Sequence, residues 1–316
     1  MKPITLQFSP ALSVLRVAAA AALATVIALP SHAGSSDGKA GGLATGAAVQ
    51  KSLAGASDIP GLVASYQSYR KDLVTIANGD VDSASVKAAH KRLAAHDYRD
   101  LSKGWVAYNA AIAARTPAYN KEILKAAKKD KRLLASLDGS TEQAFTYRSS
   151  SAAAQAVVRN ISAETAQLKE MGGSFRKAAM DIQQSRQPRM VINRTTMDRF
   201  LDPTKSGNVI LAGAGANQVV PATNDPKARP MMNQMLTLAA HMSVTESKGG
   251  KYSPAAATLV ENRKGERCLK WAKLNLAQCL AATRNTSEEA FCTGRHGLNE
   301  VSDCWSYMST PTGVAS

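Results

Sequence analysis

Apolar positions through the middle of the chain recur at helical spacing. Leu62, Tyr66, Tyr69 and Leu73 form one stripe, and Leu101, Trp105, Tyr108 and Ile112 form another at i, i+4, i+7 and i+11. The punctuation agrees. Asp58-Ile59-Pro60 has the form of an N-cap with a first-turn proline, and Asn78-Gly79-Asp80 is a turn signal. From Ser83 to Arg115 the pattern is helical again, and Thr116-Pro117 closes it because the residue before proline avoids the α region. The longest stripe steps by three and four from Ala154 through Val157, Ile161, Glu164, Leu168, Met171, Phe175, Ala178 and Ile182. Only Glu164 is out of character on it. This predicts a long helix with a core or coiled-coil-like seam, opened by a capping box at Ser140-Thr141-Glu142-Gln143 and running to about Gln184. Gly172-Gly173 marks a place where that helix would kink or split.

Residues 186–228 lose this periodicity around Pro188, Pro203, Gly207, Gly213 and Gly215, and they predict a long irregular connector. Val209-Ile210-Leu211 is its one strand candidate. Helical spacing resumes at Pro230 with Met231, Met235, Leu238 and Met242, and Ser247–Tyr252 reads as a loop. At the other end, residues 34–57 are rich in Gly, Ala and Ser and predict a flexible leader. The expected organisation is therefore a helical bundle over 58–185, the connector, and a C-terminal helical region over 229–316.

The first 33 residues carry an export pattern: Lys2, an apolar run from Val17 to Leu29, Pro30, and the small-x-small site Ser31-His32-Ala33. The competing reading is an uncleaved anchor beside Arg16, but the run is short for a span and ends in proline. Beyond it no run reaches membrane-spanning length. The expected location is periplasmic or secreted.

Export gives the four cysteines meaning, because disulfides persist outside the cytosol. Their C-x10-C and C-x11-C spacings match neither zinc pairs nor a haem attachment site. Residues 266–282 are strong helix formers, 283–286 are turn residues, and Thr286-Ser287-Glu288-Glu289 is a second capping box. Cys279 and Cys292 are centred on 285.5 and Cys268 and Cys304 on 286, so both pairs nest around one turn. Antiparallel helices bridged at Cys268–Cys304 and Cys279–Cys292 are the expectation. Cys268 and Cys279 lie about three turns apart on one face, together with Ala272, Asn275 and Ala282. The twelve-residue step from Cys292 to Cys304 fits a straight helix less well, and a break near Gly297 is predicted to realign it. The arrangement resembles twin C-xn-C helical hairpins, a likeness that implies a fold and no activity.

Composition narrows the class. Aromatic residues reach only 5% while hydrophobic residues make up 45%, which disfavours a β sandwich and fits a mainly α helical bundle. The 39 Lys and Arg against 24 Asp and Glu give a charge of +15, and removal of Lys2 and Arg16 with the signal leaves +13. Lys121, Lys125, Lys128, Lys129, Lys131 and Arg132 form the most basic stretch, a candidate site for an anionic envelope component, polymer or lipid surface. A solvated helix face is the plainer reading. No aromatics interleave with these cations, which argues against nucleic acid.

Catalytic signals are weaker. Ser174-Phe175-Arg176-Lys177, Ser206-Gly207-Asn208 and Lys248-Gly249-Gly250 follow the motif order of penicillin-recognising serine enzymes, with Lys177 activating Ser174. Against this, S-x-x-K recurs at Ser68–Lys71, Lys248-Gly249-Gly250 has no strand pattern, and the intervals leave little room for a mixed α/β architecture. Ser174 is expected to be an exposed residue beside the seam. His90 and His96 are wrongly spaced for zinc, and His241 sits among methionines at a core edge. Cys292 and His296 are an i, i+4 pair that would bind metal only if Cys292 were reduced. Gly213-Ala214-Gly215 lacks the third glycine of a dinucleotide loop. No metal or cofactor is implied. The best-supported expectation is an exported, non-catalytic envelope binding or scaffold protein. The alternatives are a serine-type cell-wall peptide hydrolase or transpeptidase and a nonspecific anionic-polymer binder.

Overall fold

Capping carboxylates set where the first helices begin. Asp58 accepts from the Gly61 amide at 2.9 Å and opens α1 (Ile59–Ala77). Asp82 accepts from the Ser85 amide at 2.7 Å and opens α2 (Ser83–Ala94). Asp97 accepts from the Arg99 amide at 2.8 Å and starts α3 (Tyr98–Ala114), so the helical stretch from Ser83 to Arg115 is two helices split at a cap. The computed structural model describes residues 58–186 and 230–309 together with Met197 and Phe200. The proposed signal, leader and most of the connector, including Val209–Leu211, lie outside the described residues.

Pro117 opens α4 (Pro117–Lys129), and α5 (Leu133–Gly139) follows after a tight turn. The capping box expected at Ser140 does not form. Thr141–Phe145 is a short 3-10 turn, and the Gln143 side chain accepts from the Ser136 hydroxyl at 2.8 Å. The long helix starts later, as α6 (Ser150–Gln183). Its N-terminus is held by a distant acid: Glu122 of α4 accepts from the Arg148 and Ser149 amides at 3.2 and 2.9 Å. A local box gave way to a tertiary cap. The seam itself forms, and each of its positions from Ala154 to Ala178 is buried, Glu164 included. Nor does Gly172-Gly173 break α6; the helix runs straight through both.

The returning helix, α7 (Pro230–Lys248), is buried at every residue from Met235 to Thr245 and fills the centre of the fold. Met235 and Met242 are core, while Met231 and Met232 pack half-buried beside it. Trp105 of α3 stacks on Trp305 near the C-terminus, with ring centroids 5.0 Å apart, and Tyr66 of α1 lies 6.0 Å from Trp305. The N- and C-terminal helical segments thus share one core. A short α8 (Pro254–Thr258) leads to the hairpin. Among the described residues there is no strand.

The hairpin consists of α9 (Arg263–Ala282), α10 (Thr286–Cys292), a π-helical segment over Thr293–Asn299, and α11 (Glu300–Ser309). Cys268–Cys304 and Cys279–Cys292 are the two disulfides, each with its Cα atoms 5.7 Å apart. Two local expectations are corrected. The cap of α10 is Asn285, one residue before the proposed box, accepting from the Glu288 amide at 3.0 Å. The second arm widens instead of breaking at Gly297. A π turn bonds i to i+5 and absorbs one extra residue. The twelve-residue step from Cys292 to Cys304 then behaves like the eleven-residue step from Cys268 to Cys279, and both thiols face α9.

Candidate functional site

All six cations of the basic stretch are exposed, Lys121, Lys125 and Lys128 on successive turns of α4 and Lys129, Lys131 and Arg132 at its end. The two acids within the stretch are engaged by backbone. Glu122 caps α6, and the Ser149 hydroxyl together with the Ser149 and Arg148 amides hold its carboxyl below the usual carboxylate range. Asp130 accepts from the Arg132 amide at 2.8 Å. Among the described residues, none of the six cations forms an ion pair. The face therefore carries a net positive charge along α4 and the turn that follows it, with no cation neutralised by a direct ion pair among the described residues.

The serine motif is dispersed differently from its expected form. Ser174 is buried, contrary to the exposed position foreseen for it, while Lys177 one turn on is exposed. Ser206 and Asn208 lie outside the described residues. Lys248 ends α7 and Gly249 follows with φ of 61°, so Lys248-Gly249-Gly250 is a helix C-cap.

Each described histidine has a structural partner. His90 Nε2 hydrogen-bonds the Thr293 hydroxyl, and burial pushes its imidazole below the usual range. His96 meets Asp72 at 2.8 Å, and His296 meets Glu300 at 2.8 Å. His241, expected at a core edge, is fully buried and meets Asp138 at 2.7 Å. Cys292 is disulfide-bonded, so the Cys292/His296 pair is not a metal site here. Among the described residues no group of three or more His, Cys, Asp or Glu side chains is placed to hold a metal.

Glu164, the odd residue of the seam, occupies the centre of a buried polar cluster. Tyr66 donates to its Oε1 at 2.7 Å. Its Oε2 and the Trp105 indole N–H are both buried without a hydrogen-bond partner. Burial raises the Glu164 carboxyl above the usual range, and the Arg70 charge opposes that rise. Arg70 also bonds the Phe200 carbonyl and lies 4.7 Å from the Tyr108 ring. Every one of these side chains is buried, so the cluster joins α1, α3 and α6 as core architecture and is closed to a substrate.

One surface feature escaped the sequence reading. The exposed large apolar side chains among the described residues are Met180, Trp271, Leu274, Phe291 and Tyr307. Four of them belong to the hairpin. Met180 and Phe291 line a groove of about 340 Å³ shared with the Cys279–Cys292 bridge. Trp271 and Leu274 instead lie on the outer, polar face of α9. The signal was present in the sequence, since both fall on the face opposite Leu269, Ala272 and Leu276.

No protein-family model, curated protein or solved structure matches this chain.

Proposed function

We propose that this chain is an exported, non-catalytic binding or scaffold protein of the cell envelope, engaging an anionic partner through the α4 face. The observation that carries this reading is the set of six exposed cations whose neighbouring acids are tied to backbone amides. Two disulfides fit an oxidising compartment, and among the described residues no helix is long and apolar enough to cross a membrane. Cleavage after Ala33 would start the mature protein at Gly34.

Cosedimentation of the purified chain with isolated cell walls tests the reading. Binding at low salt that is lost in the Lys125→Glu/Lys128→Glu/Lys129→Glu variant is the expected result. Binding unaffected by that variant would remove the α4 face from the function. Equal binding to any acidic polymer, with the same steep salt dependence, would favour the nonspecific reading. Covalent labelling of Ser174 by a penicillin-type probe would overturn the non-catalytic assignment.

A further inference from the structure

A stripe on α9 combines charge with exposed apolar surface. Arg263, Lys264, Arg267, Lys270, Trp271 and Leu274 recur at three- and four-residue spacing, which at about 100° per residue confines them to roughly a third of the helix circumference. All six are exposed, Trp271 at 61%. Gly265, Leu269, Ala272 and Leu276 occupy the opposite, buried side. Among the described residues, none of the four stripe cations makes an ion pair. None of the stripe lines the groove at the hairpin tip.

We propose that this outer face of α9 docks on anionic phospholipid. Its chemistry is that of an interfacial helix: cations for the headgroup phosphates, and a tryptophan and a leucine between them to enter the boundary with the acyl chains. An acidic soluble polymer would need the charges alone and would leave Trp271 and Leu274 in water. The surface is a convex helix flank, suited to a flat partner. Both disulfides hold α9 against the second arm, so docking orders little additional chain. This site is separate from α4 and stands or falls independently of it.

The tryptophans supply a local readout. Of the three, Trp105 and Trp305 are fully buried and stacked on each other, so environment-sensitive emission comes from Trp271. Adding phosphatidylglycerol-containing vesicles to the purified chain should shift this emission to the blue and expose it to quenching by brominated acyl chains. Phosphatidylcholine vesicles should give little shift. Trp271→Phe should abolish the shift. Arg267→Gln and Lys270→Gln should each weaken partitioning about fivefold at low salt. The α4 triple Glu variant should lower affinity for the vesicles overall but reach the same blue shift once saturated with lipid. Trp271 emission unchanged by phosphatidylglycerol, even with the protein bound, would overturn the proposal. So would an equal blue shift with soluble polyglutamate, which would assign the face to an acidic polymer.

Discussion

Gly172 of α6 and Gly294 of the π-helical segment pack backbone to backbone. A Cβ on Gly172 would lie 2.7 Å from the Gly294 carbonyl oxygen, and a Cβ on Gly294 would lie 2.6 Å from the Gly172 carbonyl oxygen. The contact is reciprocal, so neither residue has room for a methyl group. It joins the long helix to the hairpin at the turn that keeps the cysteines in register.

Neighbouring glycines should therefore respond with opposite signs. Gly172→Ala forces two backbones apart and should cost about 1–3 kcal/mol despite the better helix propensity of alanine. Gly173 has nothing within 4 Å of its would-be Cβ. Gly173→Ala should stabilise by about 0.5–1 kcal/mol, the ordinary gain for glycine replaced in a helix interior. Urea denaturation of both variants checks this, and a stabilised Gly172→Ala would mean the crossing is looser than described.

The same pair shows where the sequence was legible. Periodicity located α1, α3, the seam of α6 and α7, because each buries a stripe whose spacing is local information. The symmetric placement of the cysteines identified the hairpin and its pairing. What the sequence concealed was set by contacts between distant segments. Gly172-Gly173 looked like a kink because close approach to Gly294 is invisible along one strand of text. The cap of α6 comes from Glu122, more than twenty residues upstream. Glu164 was visible as an anomaly, but its partners Tyr66 and Arg70 lie on α1. On the basic face, the six cations are local information, whereas the engagement of Glu122 by the start of α6 is not.

The two disulfides should differ in effect and in accessibility. Cys268–Cys304 closes a separation of 36 residues and packs against the core, with Cys304 buried and Cys268 half-buried, the same burial that Cys292 and Cys279 have in the other bridge. Removing it through Cys268→Ser/Cys304→Ser should cost roughly 3–4 kcal/mol on the loop-entropy model. Cys279–Cys292 closes 13 residues and lines the open groove. Its loss should cost near 3 kcal/mol on the same model. Graded reduction with peptide mapping should show the inner bridge opening first. Earlier opening of Cys268–Cys304 would show that the groove does not expose the inner bridge to reductant.

Charge reversal on α4 should separate binding from stability. Lys125, Lys128 and Lys129 are exposed and make no ion pairs among the described residues. Changing all three to Glu should alter stability by under about 0.5 kcal/mol per site. A cooperative loss of several kcal/mol, measured by thermal melting, would show that these lysines serve the fold.

The buried carboxyl predicts an unusual pH response. Desolvation lifts Glu164 above its ordinary range, so the folded chain holds this proton to higher pH than the unfolded chain does. Over the interval between the two values the folded state binds more protons, and stability due to this group falls as pH rises. Glu164→Gln keeps an acceptor for Tyr66 and carries no proton to lose. Its stability relative to the parent chain should therefore improve from about pH 4 to about pH 7, the side on which an unfolded glutamate ionises. Denaturant titrations at both ends of that range measure the difference. A variant that loses ground as pH rises would show that attraction to Arg70 outweighs burial and that Glu164 is ionised in the core. Glu164→Leu separates the proton from the hydrogen bond: it shares the same pH trend against the parent chain but strands the Tyr66 hydroxyl, and should lie about 1–3 kcal/mol below Glu164→Gln throughout the range.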